Sequence, residues 1–273
     1  MSETLQTEAV TTASDAHLLD QTVLAVRTAG SALRERFGEV APYRTREELM
    51  DALAANDDTA IAILRPRLTR LRPDAGWVED ELDGGALPPG EWWVVDPAEG
   101  NVNHLHAMPE WAVTATLVRD NQPVLAVVHL PLTRETYTAL AGAGAHLDGW
   151  PLRVSETSDL GLSIVATSQA RPDEDEEVVR RVGRSITAML RDALVVRTSV
   201  PATLHLANVA AGRAGAFWQF AGARADLFPG ALLVLEAGGR ISDAEGRPWT
   251  PQSSGFLAAA PGVHAEAVAT LSR

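Results

Sequence analysis

The sequence predicts an α/β protein whose N-terminal half is α+β, with two layered halves meeting near Ser155. Three observations predict it. Two stretches of helical periodicity come first, apolar runs separated by tight-turn residues follow, and after Ser155 strand-like and helix-like segments alternate. With 273 residues and 46% hydrophobic content, the chain is long enough to bury a large core. The expected division is a disordered lead-in at 1–16, an α+β half at 17–155 and an α/β half at 156–273.

The first helix is predicted from Leu19, Val23, Val26, Leu33 and Phe37, which fall on one helical face between an Asp15 N-cap and a stop at Gly38. A second is expected to begin near Asn56-Asp57-Asp58, because Ile61, Leu64, Leu68 and Leu71 keep the same period; Pro66 should kink or split it. Residues 76–91 read as a loop after a short strand. Trp92-Trp93-Val94-Val95 is an apolar strand ending at Asp96-Pro97. Segments 112–118 and 124–130 flank Arg119-Asp120-Asn121-Gln122 as a hairpin, and 136–140 is the next strand. Gly142, Gly144, Asp148-Gly149 and Pro151 then mark turns. In the second half, strands are expected at 163–167, 194–197, 216–220, 240–242 and 256–260. The intervening helices include one with Val178, Val182, Ile186 and Leu190 on its face, one at 203–212, and one at 227–237 stopped by Gly238-Gly239. A last helix runs to Arg273.

Composition excludes several classes of function. There is no cysteine, so disulfide frameworks, thiolate metal sites and cysteine nucleophiles are ruled out, which fits a cytoplasmic protein. A formal net charge of −13 disfavours nucleic acid as a partner. No apolar run approaches a membrane span, and the polar, acidic N-terminus is no signal peptide. The acidic run Asp173 to Glu177 reads as a solvated helix start. A small anionic substrate remains compatible with the acidity, because a bound cation reverses the local field.

The segment Asp96-Pro97-Ala98-Glu99-Gly100-Asn101 carries the chemistry. Two carboxylates three residues apart at the end of an apolar strand can enter one crevice, and such oxygen ligands suit Mg²⁺ or Mn²⁺. Gly100 allows close approach of backbone to an anion, and the N–H groups that follow can cradle it. Alone, the segment reads equally well as a capped turn. Asp80, after the short apolar stretch at Trp77-Val78, and Asp226, which opens a late helix, supply further acids.

The run Trp93-Val94-Val95-Asp96-Pro97-Ala98-Glu99-Gly100-Asn101-Val102-Asn103-His104 resembles the inositol monophosphatase signature W-x-I-D-P-[IL]-D-G-T-T-N-F. Residues 142–155, GAGAHLDGWPLRVS, resemble its continuation G-x-G-A-[FH]-x-N-G-x-P-[IL]-x-V-S. Residues 225–239, ADLFPGALLVLEAGG, resemble the second signature W-D-x-A-A-G-x-x-[IL]-x-x-E-A-G-G. The likeness spans the chain from Leu18 onward. It implies the layered αβαβα sandwich shared by inositol monophosphatases and fructose-1,6-bisphosphatases, a homodimer, and Mg²⁺-dependent hydrolysis of a small phosphorylated substrate. The metal ligands it implies are Asp80, Asp96, the carbonyl of Ala98, Glu99 and Asp226. It also implies that Asp57 and Asn101 prepare the attacking water, that Gly100 and Asn101 meet the phosphate, and that Pro201, Ala202, Gln219 and Ala225 lie on the substrate side.

This chain departs from the pattern at the site itself. Glu99 replaces Asp and Asp80 replaces Glu. Asn101 replaces a Thr, and an amide orients water but cannot relay its proton as a hydroxyl does. Ala54-Ala55-Asn56 replaces T-E-A before Asp57, and Val200-Pro201-Ala202-Thr203 replaces G-S-A-A. Gln219 replaces a Glu that binds cyclitol hydroxyls, and Ala225 replaces a Trp, which should open space beside the metals. Arg224 is either an anchor for an anionic substrate or a surface ion-pair partner. His104 and His106 are read as structural. Two functions follow: a phosphomonoesterase for an atypical sugar, cyclitol or nucleotide phosphate, or a diverged member repurposed for ligand binding or another reaction in specialised metabolism.

Overall fold

A computed structural model describes residues 13–38, 43–79, 85–168, 174–220 and 224–273. Helices α1 (Ala13–Arg36) and α2 (Arg46–Leu71) are followed by strand β1 (Gly76–Trp77), strand β2 (Glu91–Glu99) and the short helix α3 (Asn101–Leu105). Strands β3 (Ala112–Arg119), β4 (Gln122–Leu130), β5 (Glu135–Leu140), β6 (Gly144–Leu147) and β7 (Trp150–Pro151) complete a seven-stranded sheet in sequential order. Beyond it come β8 (Ile164–Thr167), α4 (Glu176–Asp192), β9 (Val195–Thr198), α5 (Ala202–Ala210) and β10 (Ala216–Phe220). The chain closes with α6 (Arg224–Glu236), β11 (Arg240–Ser242), β12 (Gly255–Ala259) and α7 (Pro261–Leu271). These five strands form a second sheet in the order β11-β12-β10-β8-β9.

The layers are α, β, α, β, α, as the resemblance implies. α1 and α2 cover one face of the first sheet, burying Val26, Leu33, Leu64 and Leu68 against Trp93, Val95 and Val113. α5 and α6 fill the space between the sheets, with Leu206 and Leu233 in one cluster with Val128 and Phe217. α4 and α7 close the outer face of the second sheet over Val165, Trp218 and Leu257.

Several boundaries differ from the sequence reading, each for a local reason. α1 begins at Ala13, ahead of the expected Asp15 cap, while 1–12 of the expected lead-in lie outside the described residues. Its buried seam is Leu18, Thr22, Ala25, Val26, Ala29 and Leu33, with Leu19 and Val23 only at the margin. The small residues bring the helix close to the sheet: a Cβ on Gly30 would lie 2.8 Å from His129 Cδ2. α2 starts ten residues before the expected point. Thr45 caps it, accepting from the Glu48 N–H at 3.1 Å, while Glu48 reaches back to the Arg44 N–H at 2.7 Å. That T-x-x-E pattern is the missed signal. The helix continues unbroken through Pro66. On α4, Met189 takes the buried position expected for Leu190, which is 63% exposed.

The difference that matters for function lies in β2. The strand does not stop at Asp96 but runs to Glu99 through a bulge. Asp96 pairs with Thr114 and Glu99 with Ala112, so three steps on β2 face two on β3. In a regular strand, residues three apart point to opposite faces; one extra residue restores them to the same face. Trp93, Val95 and Ala98 accordingly share the core under α1 and α2. Val94 faces Ala225 and Phe228 of α6, and Asp96 and Glu99 turn to that side.

Candidate metal centre and the acid–amide pair beside it

The bulge delivers two acids to the layer where α5 and α6 begin. Carboxylate oxygens of Asp96, Glu99 and Asp226 all lie within 4.8 Å of one another. Asp96 and Glu99 are buried, at 7% and 2% exposure, and Asp226 is half-buried in the first turn of α6. Ala98 N–H donates to Asp96 Oδ1 at 3.0 Å, which fixes the acid across the bulge. Glu99 Oε1 accepts from the Thr203 N–H at 3.4 Å, and the Thr203 hydroxyl donates to the Asp226 carbonyl at 3.0 Å. The first turn of α5 therefore touches both β2 and α6. Thr203 was not singled out from the sequence, although a hydroxyl in the first turn after Pro201 is a signal of such a role.

Three acids so close repel one another. Burial raises the Asp96 carboxyl well above the usual carboxylate range, and the neighbouring Glu99, Asp226 and Asp57 raise it further. A divalent cation removes that penalty by taking the place of protons, and an all-oxygen donor set suits a hard ion such as Mg²⁺ or Mn²⁺. The residues present thus fit the ion. Asp80, the fourth expected acid, lies outside the described residues. The Ala98 methyl is spent on the helix-side core, so only its backbone is at the site's disposal.

Beside the acids, Asp57 on α2 meets Asn101 at the start of α3. Asn101 Nδ2 donates to Asp57 Oδ1 at 2.8 Å and to the Leu53 carbonyl at 3.0 Å. Burial raises Asp57 to about 6, opposed by the hydrogen bond from Asn101. Gly100 makes the turn between β2 and α3 with φ of 81°, and a Cβ there would lie 2.8 Å from the Glu110 carbonyl. His104 is structural: its ring is buried between Phe37 and Trp111, and its Nε2 lies 2.9 Å from the Leu33 carbonyl.

The expected substrate side is only partly a surface. Pro201 and Ala202 are buried at the start of α5, with Pro201 against Gly100. Gln219 is buried at the end of β10, where its Oε1 accepts from Ser168 Oγ at 2.7 Å. Ala225 corrects the expectation of open space: at 1% exposure it sits with Val78, Val94, Val118 and Phe228 in a small core beneath the site. The side chain of Arg224, at the start of α6, lies outside the described part.

Fold and site together define a five-layer α/β protein with a carboxylate cluster where β2 and α6 meet beside the first turn of α5. The chain belongs to the inositol monophosphatase family, whose profile matches residues 15–273. An inositol-1-monophosphatase of Rhizobium meliloti is 35% identical over 234 residues, 84% of this chain and 86% of that relative. The Nus factor SuhB of Xylella fastidiosa is 34% identical over 228 residues, 82% of this chain and 81% of the other. The extragenic suppressor protein SuhB from Bartonella henselae superposes with a TM-score of 0.82 at 26% identity, covering 94% of this chain and all but 1% of that one (99%). An inositol monophosphatase from Thermotoga maritima gives 0.79 at 26% identity, covering 93% and 96% of the two chains.

Proposed function

We propose that the protein is a Mg²⁺- or Mn²⁺-dependent phosphomonoesterase of the cytoplasm, a homodimer acting on a small sugar, cyclitol or nucleotide phosphate. The observation that carries this reading is the convergence of Asp96, Glu99 and Asp226 within 4.8 Å, next to the Asp57–Asn101 pair at 2.8 Å. Asp96, Glu99 and Asp226 hold the cation, with Asp80 as a further ligand. A cation held there supplies Lewis acidity to the phosphoryl group and its leaving oxygen. Asp57 accepts the proton of the attacking water, while Asn101 grips one of its oxygens and leaves the other for the water. The Thr203 N–H keeps Glu99 turned inward. Among the described residues no helix is long and apolar enough to cross a membrane.

Gln219 weighs on the choice of substrate. It is neutral, and its Oε1 is already engaged by Ser168, so it offers less to substrate hydroxyls than a carboxylate does. We therefore place inositol 1-phosphate outside the preferred substrates.

Phosphate release from a panel of sugar, cyclitol and nucleotide monophosphates, with Mg²⁺ or Mn²⁺, tests the proposal against an Asp96→Asn control. Metal-dependent turnover of at least one ester by wild type, abolished in the variant, is the expected result. Flat baselines across the panel with both ions would overturn it. One observation favours the second reading, a diverged member that binds without hydrolysing: both amide hydrogens of Asn101 are committed, so the pair cannot pass a proton on. Calorimetric binding of a phosphate ester without turnover would identify that case.

A further inference from the structure

Asn101 does not choose its own orientation. Arg36, in the last turn of α1, donates from Nε to a side-chain oxygen of Asn56 at 2.9 Å. A guanidinium can only donate, so the Asn56 atom facing it is Oδ1 and the other is Nδ2. That Nδ2 lies 2.8 Å from Asn101 and 3.0 Å from His104 Nδ1. Both partners must therefore accept: Asn101 presents Oδ1, and His104 presents its Nδ1 lone pair. His104 meets this requirement, since its Nε2–H is the donor to the Leu33 carbonyl and burial lowers its pKa, keeping it neutral. With Oδ1 pinned on Asn56, the Nδ2 of Asn101 has one place to go, the Leu53 carbonyl and Asp57 Oδ1. Every hydrogen of both amides is used. Donation runs in one direction, from Arg36 through Asn56 and Asn101, and ends on the Asp57 carboxylate.

We propose that Asn56 is a positioning residue: held by Arg36 and His104, it acts with the Leu53 carbonyl to clamp the Asn101 amide at both ends against Asp57 and so makes Asp57 a one-ended proton acceptor. The orientation part stands on the hydrogen-bond geometry alone. Its catalytic consequence rests on the phosphomonoesterase reading. The role is distinct from packing: the Leu53 carbonyl, which can only accept, holds the nitrogen end of the Asn101 amide, and Asn56 holds its oxygen end. Without Asn56 the amide is anchored at its nitrogen end alone and loses the contact that holds it square to Asp57.

The test is a titration of the side-chain amide signals of Asn101 by ¹⁵N-resolved NMR in metal-free protein, with Asp57→Asn identifying the part that reports Asp57. The charged groups that act on Asp57 are Asp58 on its own helix and Asp96 on β2, so Asp58→Asn serves as a control for background drift. In wild type the two Asn101 amide protons should stay distinct and move together in a single step with Asp57. In Asn56→Ala, with only the nitrogen end held, the step should shrink and the two protons should broaden toward exchange. In Asn56→Asp, which puts an acceptor against the Asn101 oxygen, the amide signals should shift and broaden as the oxygen end is pushed off its place; a step moved to higher pH by the added charge is not read. An unchanged titration in both Asn56 variants would overturn the proposal. Phosphate release by the same proteins is read separately: absence of turnover in wild type counts against the phosphomonoesterase reading and leaves the amide result standing. Should Asn56→Ala fail to fold, Arg36→Gln, which removes the fixed donor from the other end, must loosen the same signals, and its failure to do so would sink the idea.

Discussion

At the scale of single residues, the site holds acids that the folded protein would rather keep protonated. Asp57 is raised from 3.8 to about 6, and Asp96 is raised in the same direction. The folded state then binds these protons more tightly than the unfolded chain. The Asp57 contribution is fully present below about pH 4 and is lost as pH rises through about 6, and Asp96 adds a loss of the same sign. Urea unfolding in EDTA should accordingly show stability falling across that window, and Asp57→Asn should flatten the fall. A second expectation concerns Asn101→Thr. From the motif alone, restoring the hydroxyl would be enough to raise turnover; with Asn56 in view it is not. The single change strands an amide hydrogen of Asn56, at a cost of about 1–3 kcal/mol. Asn56→Ala together with Asn101→Thr should recover most of that loss and give the higher phosphate release, a non-additive pair in both unfolding and activity. Asp96, Glu99, Asn101 and Asp226 could be picked out of the sequence because they sit in two spaced motifs. The partnership of Asn56 with Arg36 and His104 could not, since it joins α1, α2 and α3 through side chains with no common pattern.

At the scale of elements, most of the strands and the βα alternation followed from apolar periodicity and turn residues. The Asp120-Asn121 hairpin is an example, both residues adopting positive φ, 48° and 65°, as a tight two-residue turn demands. What periodicity could not carry was the bulge in β2. A period-two pattern ends at the extra residue, so the strand looked finished at Asp96-Pro97. The expected burial pattern of α1 was displaced for a related reason: alanines and Gly30, not the larger apolar residues, make its closest approach to the sheet. The bulge leads directly into Gly100, whose positive φ and closeness to the Glu110 carbonyl leave no room for a side chain. Gly100→Ala should destabilise the protein by about 1–3 kcal/mol, measured by denaturant unfolding. It should also weaken Mn²⁺ binding, measured by calorimetry, because Glu99 and Asn101 flank the strained position.

At the scale of the whole molecule, the centre is assembled from parts that are remote along the chain. Asp96 and Glu99 come from the first sheet, Asp226 and Thr203 from the helices between the sheets. Glu236, in the second signature, serves this assembly: its two oxygens accept from the Gly142 and Gly144 N–H groups at 2.9 and 2.8 Å, tying α6 to the first sheet. The signature's glutamate is thus a strut, a role that its place in the motif did not reveal. The assembly has a kinetic consequence. Contacts between segments so far apart form late, after most of the surface is already buried. A divalent ion should therefore leave the folding rate nearly unchanged and slow unfolding, with the whole gain in stability on that arm. Stopped-flow unfolding at increasing Mn²⁺ would display it, and Asp96→Asn should be indifferent to the ion. A cation held there would be a latch on the way out, setting how long the native molecule lasts and not how quickly it arises.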